Sequence, residues 1–326
     1  MLSSVFRSIL FDNQQKVYSH IKPISVLIDS MVGSPEKDIN PAIAQKITKS
    51  LNNLSLGSTN FKNHYYIATI ATEAVVSHQK YCNMNLPPPY PKKKSELGDI
   101  VIAVDYVLED LQTKTKKIIN GAASVIETKK EKSYNNGLTA AQLYLMTQWP
   151  PFGFRSNLDW KLNVFPDNFG FYLIILDETL PKSECSRVLS APMITHLSRI
   201  DKSQLLSKID GTVSVQPDLL KLDACGKSIL MPLTFGTYLY HALLLLFGSP
   251  SMNFRALLKQ KFFPKMEETE DCDPDANMEE MINETPNLLA LEGNSNPNPA
   301  DSPFENEKDN RLFAIRIKMI LTKKEG

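Results

Sequence analysis

Gly98–Tyr106 reads GDIVIAVDY and Ala122–Lys129 reads AASVIETK. The first stretch is β-branched and apolar on both faces, the pattern of a strand covered on both sides. The second reads as another strand. Residues two apart on a strand point to one face, so Glu127 and Lys129 stand side by side and Thr128 turns away. Asp99 opens the first strand directly after Gly98. If the two strands pair in that register, two carboxylates and one ammonium converge. Lys114–Asn120 reads as a short basic strand, with Gly121 breaking the chain after it. Asn135-Asn136-Gly137 is a turn. Leu138–Trp149, LTAAQLYLMTQW, follows as a helix with Thr139 as a cap, and Phe169–Asp177, FGFYLIILD, is a strongly buried strand. This order predicts an α/β fold, a central mixed sheet flanked by helices.

Working outward, residues 1–64 form a helical, polar region with breaks at Gly33-Ser34-Pro35 and Asn40-Pro41. Tyr65–Tyr81 is Ala-rich with apolar residues at helical spacing, and a helix is expected there. Pro87-Pro88-Pro89-Tyr90-Pro91 is a stiff extended linker, and Lys92-Lys93-Lys94 follows it. Lys161–Phe165 is a short strand, residues 183–230 mix short helices and turns, Pro232–Gly248 is a buried helix, and Asn253–Phe263 a basic helix. The main domain is expected over 65–265. Residues 266–310 hold five prolines and little that builds a core, so they read as an acidic disordered segment. Arg311–Lys324 is apolar enough to return to the body as a strand or a helix, making 311–326 a C-terminal element.

Across 326 residues, 42% are apolar and 22% charged. Such usage excludes a wholly disordered chain, a collagen-like repeat and a coiled coil. Cys82, Cys185, Cys225 and Cys272 are scattered, which argues against a disulfide framework and a zinc knuckle. An intracellular compartment, nucleus or cytoplasm, is expected. No stretch reads as a membrane span, and the N-terminus lacks the pattern of a secretory signal. Lys+Arg and Asp+Glu both number 36, but 266–310 holds 14 acidic residues and a single basic one. The remainder has 35 basic and 22 acidic residues, a net of +13. A basic body attracts nucleic acid, although the same excess also fits a plain solvated surface. The acidic segment is a candidate handle for a protein partner.

The convergence of Asp99 and Glu127 has a chemical meaning. Two carboxylates about 4 Å apart repel by roughly 4 kcal/mol at an effective dielectric of 20. A hard divalent cation removes that conflict, and Mg²⁺ favours oxygen ligands together with substrate phosphate oxygens. Such a centre suits hydrolysis of phosphodiesters, with the lysine orienting water or balancing charge. The bland alternative is a surface ion pair between Glu127 and Lys129, worth about 0–1 kcal/mol. A second acid-x-Lys triplet, Asp159-Trp160-Lys161, lacks a preceding acidic strand. Asp105 lies six residues after Asp99 on the same strand face and stays open as the ligand. Trp149, Phe152, Phe154 and Trp160 flank Arg155 and can stack on bases or simply pack in a core.

GDIVIAVDY, VIETKKEK and LTAAQLYLMTQ together resemble the core of the PD-(D/E)xK nuclease superfamily, over about residues 65–150. The nearest flavour is eukaryotic, that of fungal proteins and Crinkler-type effectors. The resemblance implies a restriction-endonuclease-like core and a Mg²⁺-dependent (or Mn²⁺-dependent) nuclease acting on DNA or RNA. It implies metal ligation by Asp99 and Glu127, completed by Glu73 from a helix. Lys129 is implied as the catalytic lysine, and Gln142 as a catalytic-site glutamine near the nucleic-acid backbone. The proline usual before the aspartate is replaced by Gly98. The alternative is a catalytically inactive nuclease-fold module, effector-like or from a mobile element, that binds nucleic acid or protein.

Overall fold

Ile100 to Val107 are buried without interruption, and the rest of the architecture is arranged around the strand they form. A computed structural model describes residues 2–57, 65–77, 81–153, 168–178, 185–220, 233–248, 270–272 and 311–323. Three helices come first: α1 (Leu2–Asp12), α2 (Gln14–Ser30) and α3 (Glu36–Leu51). Strands β1 (Ser55–Gly57), β2 (Tyr65–Ser77), β3 (Tyr81–Met84), β4 (Lys93–Glu96), β5 (Ile100–Glu109) and β6 (Lys116–Lys130) follow. Next are α4 (Glu131–Asn135), β7 (Leu138–Thr139), α5 (Ala140–Gln148), β8 (Phe152–Gly153), β9 (Gly170–Ile175) and β10 (Ser186–Ser190). The remainder is α6 (Ala191–Leu197), α7 (Lys202–Ser207), β11 (Thr212–Val213), α8 (Phe235–Leu243), β12 (Glu270–Cys272) and β13 (Arg311–Lys323).

The fold is mixed α/β. Its central sheet has the order β1-β2-β13-β5-β6-β9-β10, with β12 beside the start of β6. β5 runs antiparallel to β6, β6 parallel to β9, and β13 parallel to β5 but antiparallel to β2. A smaller sheet, β4-β3-β8, lies apart from it. Period-two alternation splits β5 between two apolar layers. Ile100, Ile102, Val104 and Tyr106 pack with α1–α3 and α8, while Val101 and Ala103 pack with α5–α7 and the small sheet. Among the described residues no helix is long and apolar enough to cross a membrane.

Four expectations are corrected. Residues 65–77 form a strand, not a helix: β2 pairs with β13 along its whole length, and its β-branched Ile67, Thr69, Ile70, Thr72, Val75 and Val76 suit the pleat. Lys116–Lys130 is one continuous strand through Gly121. Ile119 is passed over in the register between Tyr106–Asn120 and Val107–Ile118, a bulge that takes up one residue without ending the ladder. α3 continues through Pro41, where a proline early in a helix removes one backbone bond without breaking the rest. Residues 270–272, inside the segment read as disordered, pair with β6. The C-terminal element is a strand, and it lies in the middle of the sheet rather than at its edge. The expected strand at 161–165, the basic helix at 253–263, the Asp159 triplet, Phe154, Arg155 and most of 266–310 lie outside the described residues.

Candidate metal centre

β6 outlasts β5 at one end of the sheet, and the site is built there. Asp99, one residue before β5, donates its N–H to the Ile126 carbonyl at 2.8 Å and accepts from the Phe313 N–H at 2.9 Å. Its main chain is therefore held between β6 and β13. Beyond it, the Thr128 and Lys130 N–H groups on the β5 side of β6 have no strand to bond. Asp99 Oδ2 accepts from Thr128 at 2.8 Å, and Glu36 at the start of α3 accepts from Lys130 at 2.8 Å. Gly98 turns the chain into this position with φ +153°, and a Cβ there would stand 2.6 Å from Val125 Cγ1. Proline, with φ fixed near −65°, cannot occupy that corner.

Glu127 and Lys129 project from β6 on the face that also carries Val125. Lys129 Nζ lies 2.5 Å from Glu127 Oε1, with the glutamate side chain 0% and the lysine 23% exposed. Burial works to lower the Lys129 pKa. The charge and hydrogen bond of Glu127, joined by Asp99 and Glu36, outweigh it and hold the ammonium above the usual lysine range. Lys129 is thus a fixed cation near neutral pH and no proton acceptor.

The third carboxylate is Glu96, half-buried at the end of β4, which the small sheet supplies. One carboxylate oxygen from each of Glu96, Asp99 and Glu127 lies within 4.8 Å of the others. At an effective dielectric of 20 each such pair repels by roughly 3–4 kcal/mol, and the Lys129 ammonium, bonded to Glu127 and acting on Asp99 by charge, offsets part of this. With Asp99 5% and Glu127 0% exposed, water screens this repulsion poorly. An all-oxygen, recessed, anionic donor set of this kind can hold a metal ion.

The structure brings Asp99, Glu127 and Lys129 together and leaves Glu73 and Asp105 out of the cluster. Glu73 sits on β2 opposite Ile315, whose side chain belongs to the layer of α1–α3, so it projects from the other face of the sheet and is exposed. Asp105 is about 20 Å further along β5 at the usual rise per residue and is engaged by Arg316 Nε at 2.6 Å. Gln142 lies on α5, 5% exposed, in the layer covering the face of Glu127, and its Nε2 has no partner among the described residues. Thr139 precedes α5 but makes no side-chain cap. Of the lysines near the site, Lys93 pairs with Asp210 and Lys130 Nζ bonds the Val32 carbonyl. Trp149 meets both Phe152 and Phe169 edge-on in the core.

Sequence reasoning passed over Glu96, Glu36 and Tyr172, the residue of β9 in register with Glu127. For Glu96 a signal existed: a carboxylate three residues before Asp99, with a glycine corner between them. The chain matches no family model, no curated protein and no solved structure, so its chemistry rests on this geometry.

Proposed function

We propose that the protein is a divalent-cation-dependent phosphodiester hydrolase, a nuclease acting on DNA or RNA. The observation carrying this reading is the meeting of Glu96, Asp99 and Glu127 within 4.8 Å beside a charged lysine. Mg²⁺ or Mn²⁺ suits such a donor set, since both are hard cations that take carboxylate oxygens and keep positions for water and phosphate. Bound there, the ion would supply Lewis acidity and lower the pKa of water.

The chain's own residues take the following parts. Glu96, Asp99 and Glu127 hold the ion, with the Thr128 N–H fixing the Asp99 carboxylate. Lys129 presents its ammonium to the attacking water and to the charge growing on phosphorus. Water would attack in line and release a proton to solvent, the bond from phosphorus to the leaving oxygen would break, and that oxygen would take a proton from solvent. The net of +13 outside 266–310 holds the polyanion, with salt-dependent affinity. The order of Gly-Asp corner, Glu-x-Lys strand and glutamine helix supports membership of the PD-(D/E)xK superfamily, with Glu96 taking the place that the resemblance gives to Glu73.

The test is cleavage of labelled single- and double-stranded DNA and RNA with Mg²⁺, Mn²⁺ or chelator. Glu127→Gln and Lys129→Ala should each lower the rate at least 100-fold while the folded circular dichroism spectrum persists. Cleavage that survives both substitutions, or survives chelation, rejects the assignment. Salt-sensitive binding without any cleavage would instead favour a binding module.

A further inference from the structure

The sheet face that carries Glu127 also carries Tyr172. The two are register partners on the parallel strands β6 and β9, so their side chains leave the sheet side by side. Tyr172 is 0% exposed, and its hydroxyl makes no hydrogen bond among the described residues. A buried phenol without an acceptor is costlier than a phenylalanine of the same shape. Its retention beside a cluster of carboxylates calls for a use.

Among the described residues two other donors near this end of β6 lack partners, the Thr128 hydroxyl, which turns to the opposite face from Glu127, and the Gln142 amide on α5; the rest are committed. The Thr128 N–H serves Asp99, the Lys130 N–H serves Glu36, and the Lys129 ammonium bonds Glu127 Oε1. A cation entering among the carboxylates competes with that ammonium for Glu127. The carboxylate then needs a different donor to keep its orientation, because ligating carboxylates are themselves hydrogen-bonded. Tyr172 is the buried donor beside it. A phenol has an ordinary pKa of about 10, so near neutral pH the hydroxyl has a proton to donate.

We propose that Tyr172 is a positioning residue of this centre, its hydroxyl donating a hydrogen bond to the Glu127 carboxylate when that carboxylate holds a divalent cation. This rests on the reading of the three carboxylates as a cation site. The experiment uses the full chain, with Mn²⁺ as the probe. Tyr172→Phe removes one oxygen and keeps the packing. Without metal its melting temperature should equal or exceed that of the parent. Its Mn²⁺ affinity, measured by calorimetric titration, should fall about 10-fold. In the parent, Mn²⁺ should perturb the tyrosine ultraviolet difference spectrum, and that signal should vanish in the variant.

Equal Mn²⁺ affinity in parent and variant overturns the proposal and leaves the cation site standing. So does Mn²⁺ binding by the parent with no tyrosine perturbation, a measurement that needs no variant to fold. A lower metal-free melting temperature with unchanged affinity makes Tyr172 a packing residue only. No Mn²⁺ binding by the parent removes the cation site and this role together.

Discussion

Asp99, just before β5, and Asp105, within it, have the same parity, yet their surroundings give them different work. Asp105 is 3% exposed and paired with Arg316, itself 13% exposed at the side chain. Removing one member of a buried pair strands the other, at a cost of about 3–5 kcal/mol. Asp99 sits instead with two further carboxylates as well as the Lys129 charge, so neutralising it relieves repulsion while giving up attraction and costs less than breaking the Arg316 pair. Asp105→Asn should therefore lower the melting temperature clearly and leave the rise caused by Mn²⁺ intact. Asp99→Asn should do the reverse, holding the metal-free melting temperature and losing the Mn²⁺-induced rise. Differential scanning fluorimetry of the two variants reads both quantities, and a swapped result would move the ion site to Asp105. The sequence alone left these aspartates equivalent because strand parity is identical six residues apart. What separates them is the end of β5 and the position of Arg316, which no local pattern encodes. Glu127 and Lys129 were legible for the opposite reason, since a separation of two on a strand fixes their shared face.

At the scale of elements, β5, α5, β9 and the helix holding α8 were readable from their own residues, being apolar runs with turn residues at their ends. β2 was not. Ala68, Ala71 and Ala74 give it a helical look, and its pairing with β1 and, along its whole length, with β13, some 240 residues away in sequence, makes it a strand; tertiary contacts overrode local propensity. The small sheet was equally hidden, and it matters because β4 delivers Glu96. β3 pairs with β4, placing Cys82 opposite Ser95, so the thiol reports on the stability of this unit. Burial pushes the Cys82 thiol up to about 12, against about 8.5 for a free cysteine. A raised folded-state pKa contributes stability that is complete below the unfolded value and is lost as pH climbs toward 12. At pH 8 the folded thiol is almost wholly protonated, and alkylation proceeds through opened molecules. A cation held by Glu96, Asp99 and Glu127 would tie β4 to the central sheet. Alkylation of the Cys82 peptide at pH 8, followed by mass spectrometry, should therefore slow several-fold on adding Mn²⁺. An unchanged rate would mean that Glu96 does not share the ion.

For the whole molecule the governing fact is that β13, more than 200 residues after β2 and β5 in sequence, lies in the middle of the sheet. β13 lies between β2 and β5 and hydrogen-bonds to both. Leu312, Phe313, Ala314, Ile315, Ile317, Met319, Ile320 and Leu321 are buried in it. At about 1.5–3 kcal/mol for each large side chain, even after allowing for a compact unfolded state, their burial amounts to roughly 10 kcal/mol or more. That matches the whole net stability of an ordinary domain, about 5–15 kcal/mol. Without β13, β5 would also lose the neighbour whose Phe313 N–H bonds the Asp99 carbonyl, and the candidate centre would lose one of its two walls. The mixed sheet cannot close until residues 311–323 are present, so its contacts are non-local and its folding slow. A chain ending at Asn310 is expected to be unfolded or molten, with a weak near-ultraviolet circular dichroism signal and rapid amide exchange throughout β2 and β5. Adding a separate peptide of residues 311–323 should restore part of that signal by strand insertion. A truncated chain that melts cooperatively near the temperature of the parent would show that β13 does not hold the sheet together.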